Sequence, residues 1–215
     1  MDCNFRFDRF FTLLLVGSIT IAFFGCRTAQ QKTEGYSSNS PDLQPPSEKL
    51  TLGSFESLSG TPYMIAPVGT EPEYRFSSSA GAITYNFYFV DTNTLSGRRL
   101  APKNNWRFLQ SEKLGTFSKN GALTKTQGLW FVVVKSDTDG DRQLSDRDQQ
   151  TIALCDQTGK NYTEVIPQVD RVLGSYRKGN STLQVLYRVK DKNFITEIDV
   201  ETRKVIRTSE LPSIQ

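Results

Sequence analysis

From residue 61 onward the chain is a succession of short β-type segments separated by turn residues, and this pattern restricts the fold more than any other feature. The segments are rich in Val, Ile, Thr, Tyr and Phe, and clusters of Gly, Asn, Asp and Ser separate them. No long amphipathic helix pattern occurs, and residues 104–114 are the best short helix candidate. The sequence therefore predicts an all-β domain of antiparallel hairpins. Its clearest strands are residues 83–90, 129–135, 150–156, 162–166, 183–189, 194–200 and 204–209.

Composition excludes several kinds of active site. The 215 residues include no His, so neither a Ser-His-Asp triad nor a His-containing zinc site can form. The Cys residues, Cys3, Cys26 and Cys155, are too far apart in the sequence to indicate a Cys-rich metal cluster. Cys155 lies in a β segment and is expected to pack in the core. A net charge of +3 gives no reason to expect nucleic-acid binding, and we expect a protein that is not an enzyme.

Residues 1–25 have the organisation of a secretory signal peptide. Two Arg residues precede an apolar run over residues 10–24, which as a helix covers roughly 22 Å, less than the roughly 30 Å core of a bilayer. The run ends at Gly25-Cys26, which resembles the bacterial lipobox, where a small residue precedes a Cys that is lipidated. The resemblance implies a lipoprotein held at Cys26 by acyl chains such as palmitate. The alternative is an uncleaved signal anchor.

The lipobox resemblance also implies a location and a domain organisation. The location is the bacterial cell envelope, with the outer membrane favoured and the domain facing the periplasm or the surface. Residues 26–60, which include the lipidated Cys26, are dominated by Ser, Gln, Pro, Gly and Thr, and are expected to be a flexible tether. Within it, residues 50–58 are the part expected to pack on the domain edge. The folded domain is predicted over residues 61–215.

A faint internal repeat accompanies the β pattern. In each copy an apolar strand ends in an Asp, namely Asp91, Asp156 or Asp199, and a short turn then leads to a basic residue. The last two of these Asp residues are 43 positions apart, which is the length of a four-stranded propeller blade. The turns resemble the D-x-x-T-G-K hairpins of bacterial β-propellers of the TolB-like and WD-repeat type. The resemblance implies about three blade-like four-stranded units, in an open propeller-like or sandwich arrangement.

Residues 137–148, DTDGDRQLSDRD, carry acidic side chains at alternate positions. Asp137, Asp139 and Asp141 take positions 1, 3 and 5 of a twelve-residue loop, and Asp148 takes position 12. Calcium takes about six to eight oxygen ligands, so carboxylates that converge from one wound loop suit it. The segment resembles the calcium loops of EF-hands and, more closely, of dockerin-type and thrombospondin-type repeats. The resemblance implies Ca²⁺ bound by these four Asp residues and by the backbone carbonyl of Gln143.

The flanks of this loop are β segments, so the sequence predicts a calcium-clamped hairpin and not a helix–loop–helix switch. Arg142 takes position 6, where such loops usually have Gly because the turn needs a positive φ. The role expected for the metal is structural, with an affinity of about 10⁻⁴–10⁻³ M. The alternative is a solvated acidic hairpin tip kept soluble by Arg142 and Arg147.

These features favour a non-enzymatic, lipid-anchored envelope protein whose calcium-binding β domain binds an envelope protein or a surface polymer. The alternative function is a carboxylate-dependent, calcium-assisted hydrolase of the envelope. That function requires two carboxylates about 5–9.5 Å apart in a concave site, near residues 137–148 or at Glu197 and Asp199. A basic stretch that includes Arg98 and Arg99 is more simply explained by a charged sheet edge than by contact with phosphate or an acidic glycan.

Overall fold

The computed structural model describes residues 49–71, 73–75 and 78–212. The predicted signal peptide, the predicted lipidation site at Cys26 and most of the predicted tether lie outside these residues. The described part consists of fifteen strands joined by turns and loops, all pairings are antiparallel, and it contains no helix. The predicted all-β, antiparallel fold class is confirmed. A search of the same residues for a helix long and apolar enough to span a membrane finds none.

The strands in chain order are β1 (Thr51–Leu52), β2 (Glu56–Ser57), β3 (Tyr63–Gly69), β4 (Glu73–Arg75), β5 (Ser78–Ala80), β6 (Thr84–Asp91), β7 (Ser96–Arg99), β8 (Arg107–Phe117), β9 (Leu123–Val134), β10 (Gln150–Asp156), β11 (Thr163–Val169), β12 (Arg171–Lys178), β13 (Thr182–Val189), β14 (Lys192–Asp199) and β15 (Lys204–Glu210). The helix candidate at residues 104–114 is corrected, because most of it is strand β8. β8 pairs with β9 over nearly its whole length, and such pairing overrides a weak local helix preference.

Nine of the described strands form one open sheet. Its order is β1-β3-β6-β8-β9-β10-β11, with β2 added on β3 and β7 added on β6. β6 and β8 pair through Thr84 and Phe108, and on either side of this junction the two halves of the sheet pack against each other. The Phe87 ring of β6 lies 5.2 Å from the Phe108 ring and 5.3 Å from the Phe131 ring, centroid to centroid. These rings belong to the first hydrophobic cluster, the aromatic core of the domain.

Strands β12–β15 form a second sheet, a four-stranded meander in sequence order. It packs on the outer face of β8–β11 and buries the second hydrophobic cluster of the domain. Strand β9 therefore has core on both faces, which explains the unbroken apolar run in its sequence. Its alternate residues divide between the two clusters: Leu129, Phe131 and Val133 belong to the first, and Trp130 and Val132 to the second.

The meander has the strand count and order of one blade-like unit, whereas strands β6 to β11 continue in a single sheet. The remaining strands, β4 and β5, form a separate two-stranded hairpin. Residues 50–58, the part of the tether expected to pack on the domain edge, contribute two short strands to the nine-stranded sheet. Strands β1 and β2 lie in the segment assigned to the tether, and both pair with β3. Leu58 of the same segment is fully buried in the first hydrophobic cluster. Burial of this side chain and strand pairing outweigh the polar composition around them.

The repeated Asp residues have a common structural role. Each accepts a hydrogen bond at Oδ1 from a backbone amide of the turn that follows its strand. The distances are 2.9 Å for Asp91, 2.8 Å for Asp156 and 2.7 Å for Asp199, with Asn93, Thr158 and Thr202 as the respective donors. The repeat in the sequence is therefore a repeat of one turn-closing interaction.

Candidate metal centre

The acidic loop joins β9 to β10, two neighbouring strands of the nine-stranded sheet. Val134 at the end of β9 pairs with Gln150 at the start of β10, so the loop leaves and re-enters the sheet at one point. Both strands are buried, and the sheet therefore provides a rigid base for the loop.

Three of the predicted ligands converge in this loop. Carboxylate oxygens of Asp137, Asp139 and Asp141 all lie within 4.8 Å of one another. Backbone amides direct them, since Asp137 accepts bonds from Gly140 at 2.6 Å and from Arg142 at 2.7 Å. Asp139 Oδ1 accepts the amide of Asp141 at 3.1 Å. The loop thus winds around its own carboxylates through local contacts.

Arg142, at position 6 of the loop, has the positive φ that calcium loops usually need at this position. Arg142 has φ 65°, in the left-handed region that favours Gly. Gly140, two residues earlier, also has a positive φ, of 81°. A non-Gly residue in this region costs about 1–2 kcal/mol. The hydrogen bond from the Arg142 amide to Asp137 offsets part of that cost.

Asp148 lies apart from this group and is fully buried. Its Oδ1 accepts the Thr138 amide at 2.6 Å, the Thr138 hydroxyl at 3.1 Å and the Asp139 amide at 3.3 Å, and its Oδ2 accepts the Ser145 amide at 2.8 Å. Burial by itself raises the pKa of Asp148, but these hydrogen bonds outweigh burial and hold the pKa below its usual range. Asp148 joins the two ends of the loop, and its role as a metal ligand stays a prediction.

Arg147 supplies a positive charge to the same loop. Its guanidinium donates a hydrogen bond to Asp141, and its Nε lies 3.6 Å from Asp139 Oδ2. The Arg147 side chain is 69% exposed, so the pair contributes little to stability. The sequence predicts only a solubilising role for Arg147, and its contact with Asp139 and Asp141 is seen in the structure.

The base of the loop is tied to strands outside the hairpin. The Gln150 side chain, which is buried, donates to the Asp146 carbonyl at 3.2 Å and accepts the Val172 amide of β12 at 2.9 Å. The Arg107 guanidinium of β8 donates to the Leu144 carbonyl. Sequence reasoning missed both residues, because Gln and Arg at strand ends carry no distinguishing signal.

The other residues singled out from the sequence are Gln143 in the same loop, and Cys155 and Glu197 outside it. Gln143 is exposed, and its backbone amide donates to Asp141 Oδ1 at 2.8 Å. Cys155 is a free, buried thiol, and burial raises its pKa. Glu197 lies on the outer face of the meander, where it is paired with Arg207 at 2.8 Å and with Lys178 at 3.1 Å. The hydrogen bonds from Arg207 and Lys178 lower the pKa of Glu197 to about 2.

Two of the cavities lined by described residues lie away from the loop. One of about 340 Å³ lies beside β1 and β3, and one of about 120 Å³ lies between the β6–β7 hairpin and the β10–β11 turn. Each is lined by a single carboxylate residue, Glu71 in the first and Asp91 in the second. Neither cavity includes residues 137–148 or Glu197.

No protein-family model and no curated protein sequence matches the chain. Among solved structures, the chain is similar to the β-propeller domain of the Trilobed protease from Pyrococcus furiosus, a structure described as having an open velcro topology. The match has a TM-score of 0.41 and 11% sequence identity, and covers 78% of this chain and 44% of that chain. This chain thus spans less than half the length of that solved chain.

Proposed function

We propose that the chain is a non-enzymatic, lipid-anchored protein of the bacterial cell envelope. Its β domain binds another envelope protein or a surface polymer, and a calcium ion in the loop of residues 137–148 stabilises it. The observation that carries the calcium proposal is the convergence of Asp137, Asp139 and Asp141 within 4.8 Å. Three carboxylates at that spacing repel one another, and a hard divalent cation removes the repulsion.

The donor set fits calcium better than a softer metal. The three side chains offer oxygen only, and within the described residues the loop contains neither His nor Cys. Asp137 is half-buried and the other two are exposed, so water can complete the coordination of the ion. When bound, the ion would supply charge neutralisation and rigidity; Asp137, Asp139 and Asp141 would hold it, while Asp148 keeps the two ends of the loop together.

Thermal unfolding of the full chain tests the calcium proposal. The protein is stripped with EDTA and then titrated with Ca²⁺ and, separately, with Mg²⁺. At ten times the dissociation constant, Ca²⁺ should stabilise the domain by about 1.4 kcal/mol, which raises Tm by about 3–6 °C. Mg²⁺ should raise Tm less, because it requires a near-ideal octahedral shell and gives up its water reluctantly.

Two variants complete that test. Asp139→Ala should abolish the calcium response, whereas Asp146→Ala, an exposed acid of the same loop outside the triplet, should retain it. A Tm that does not change with millimolar Ca²⁺ would reduce the loop to a solvated acidic hairpin tip. An equal response in Asp139→Ala would place any calcium elsewhere.

The lipid anchor has its own support and its own test. Gly25 precedes Cys26 at the end of the apolar run, which is the arrangement that the lipobox resemblance requires. Expression in bacteria with labelled palmitate should label the wild type and leave Cys26→Ser unlabelled. Labelling of Cys26→Ser would place the acyl chain at another residue, and an unlabelled wild type that keeps residues 1–25 would indicate an uncleaved signal anchor.

The non-enzymatic assignment is supported over the hydrolase alternative by where the carboxylates lie. A glycosidase needs two carboxylates about 5–9.5 Å apart facing one substrate. Each described cavity is lined by a single carboxylate residue, and Glu197 is neutralised by Lys178 and Arg207. Turnover of envelope glycan that is lost in Glu197→Gln would reverse this assignment.

A further inference from the structure

The cavity of about 120 Å³ is the open mouth of the aromatic core. One wall is the end of the sheet formed by β3, β6 and β7, and the other wall is the turn between β10 and β11. We call it the mouth cleft. Clefts that combine apolar side chains with a few convergent polar groups are frequent ligand sites. The lining residues that matter here are Tyr63, Phe89, Asp91, Ser96, Arg98 and Lys160.

Strand register places most of these side chains next to one another. Tyr63 of β3 is opposite Asp91 of β6, which in turn is opposite Ser96 of β7. One row further, Phe89 is opposite Arg98. Residues paired in this way have Cβ atoms about 4.5–5.5 Å apart. The result is a cation, a carboxylate and a hydroxyl beside two aromatic rings on one face of the sheet.

A glycine brings the second wall into place. A Cβ on Gly159 would lie 2.5 Å from the Phe89 ring, and its φ is +69°, so only Gly lets the β10–β11 turn approach this closely. Asp156 accepts the amides of Thr158 at 2.8 Å and of Lys160 at 3.0 Å, which fixes the turn. Lys160 is thereby held at the rim opposite the hairpin that carries Arg98.

Both cations are free to bind a ligand. Among the residues that the structure describes, neither Arg98 nor Lys160 forms an ion pair, and both are exposed. Asp91 uses Oδ1 to close its own turn and leaves Oδ2 without a hydrogen bond from a described residue. The cleft therefore offers two donors with positive charge and one carboxylate acceptor.

We propose that the mouth cleft binds an acidic sugar of an anionic polysaccharide. The sugar carboxylate is held between Arg98 and Lys160, a sugar hydroxyl donates to Asp91, and one face of the ring lies against Tyr63. A compact anion such as sulfate fits less well, because Asp91 repels it and it offers no hydroxyl to that carboxylate. The cleft is small, about 120 Å³, so the proposal is limited to a single sugar unit of the polymer.

The inference deepens the proposed function, since it names the class of polymer that the domain binds, and it rests on that binding role and not on calcium. The test is an NMR titration of the full chain in a sugar-free non-ionic detergent, followed through the amides of Gly97 and Gly159. The probes are trigalacturonic acid, maltotriose as the neutral sugar, triglutamate as the acidic peptide, and sulfate. Titrations in EDTA and in Ca²⁺ separate this result from the fate of the calcium proposal.

Trigalacturonic acid should bind with a dissociation constant near or below about 1 mM. Loss of one charge-assisted hydrogen bond weakens binding about tenfold or more. Arg98→Gln and Lys160→Gln should therefore each weaken binding of trigalacturonic acid by about that factor. Arg99→Gln and Lys119→Gln are the matched controls and should bind as wild type. Arg99 is next to Arg98 on β7 but on the opposite face of the strand. Asp91→Asn should weaken binding of the acidic sugar and strengthen binding of sulfate.

Several results would overturn the proposal. If trigalacturonic acid does not change the chemical shifts of the Gly97 and Gly159 amides, the mouth cleft is not its binding site. Equal binding of triglutamate would assign the cleft to acidic peptides, and equal binding of maltotriose would remove the role of the cations. Wild-type affinity in Arg98→Gln and Lys160→Gln, each shown to be folded by its NMR spectrum, would place the ligand elsewhere.

Discussion

Replacing Asp148 by Asn tests whether this buried carboxylate holds the β9–β10 loop together. The carboxylate accepts three backbone amides and one hydroxyl, and it is fully buried. An Asn has one acceptor oxygen. If that oxygen accepts from Thr138 and Asp139, the NH₂ group of the Asn faces the Ser145 amide. Two hydrogen-bond donors then meet where the carboxylate accepts the Ser145 amide at 2.8 Å.

The expected cost follows from that geometry. A hydrogen bond to a charged group contributes about 1.5–3 kcal/mol, and a buried donor without an acceptor costs about 1–3 kcal/mol. Because Ser145 is only half-buried, we expect the free energy of unfolding to fall by about 2–4 kcal/mol, the lower part of the summed range. With an m value of about 2 kcal/mol/M in urea, the unfolding midpoint falls by about 1–2 M.

The assay is urea unfolding of the full chain in EDTA at neutral pH. Asp146→Asn is the matched control, because Asp146 is exposed and its nearest charge, on Arg171, is 3.9 Å away. That variant should lie within about 0.5 kcal/mol of wild type. A change below that size in Asp148→Asn, or the same loss in both variants, would refute the structural role of Asp148.

The pH dependence gives a second measure of the same group. The pKa of Asp148 is lower in the folded than in the unfolded chain, so its contribution is complete above the unfolded value of about 3.9 and is lost as pH falls through the folded value. Asp148→Asn should therefore lose less stability than wild type on acidification below about pH 4. An identical acid profile in the two proteins would contradict the low pKa.

Three further predictions concern the rest of the domain. Gly159→Ala forces a Cβ against the Phe89 ring at positive φ and should cost about 2–4 kcal/mol, whereas Gly140→Ala, with open space around it, should cost about 1 kcal/mol; equal losses by urea unfolding would contradict the packing. Glu197, whose pKa is lowered to about 2, stabilises the fold above its unfolded value of about 4.3, and this contribution should disappear as pH falls from about 4.3 to about 2. Glu197→Gln should abolish that acid-dependent loss in circular dichroism. Cys155 should react with a thiol reagent only on unfolding, as peptide mapping would show; labelling of the native protein at the rate of an exposed thiol would disprove its burial.

The acidic loop could be located from the sequence because its geometry is local. Asp137, Asp139 and Asp141 are brought together by amides within five residues of each carboxylate, so alternation in the sequence translates directly into convergence. The position of Asp148 follows a different rule. Its bonds to Thr138 and Ser145 depend on both ends of the loop meeting at the sheet, and spacing alone did not separate this role from that of a ligand.

The mouth cleft shows the opposite situation. The sequence contained Arg98 inside a basic stretch, and a charged sheet edge was the simplest explanation for it. Lys160 lies 62 residues later in another hairpin, and nothing in the sequence joins the two. Their proximity depends on how the β6–β7 hairpin and the β10–β11 turn meet at one cavity, and on the contact between Gly159 and Phe89.

The all-β class, most of the strands and the three Asp-closed turns could be predicted from the sequence, because side-chain alternation and turn hydrogen bonds are encoded within a few residues. Contacts within the folded domain were needed to show that β9 is buried on both faces and that residues 104–114 are mostly strand. Each of these depends on contacts between segments distant in the chain. Such contacts carry most of the burial free energy and leave no periodic trace in the sequence.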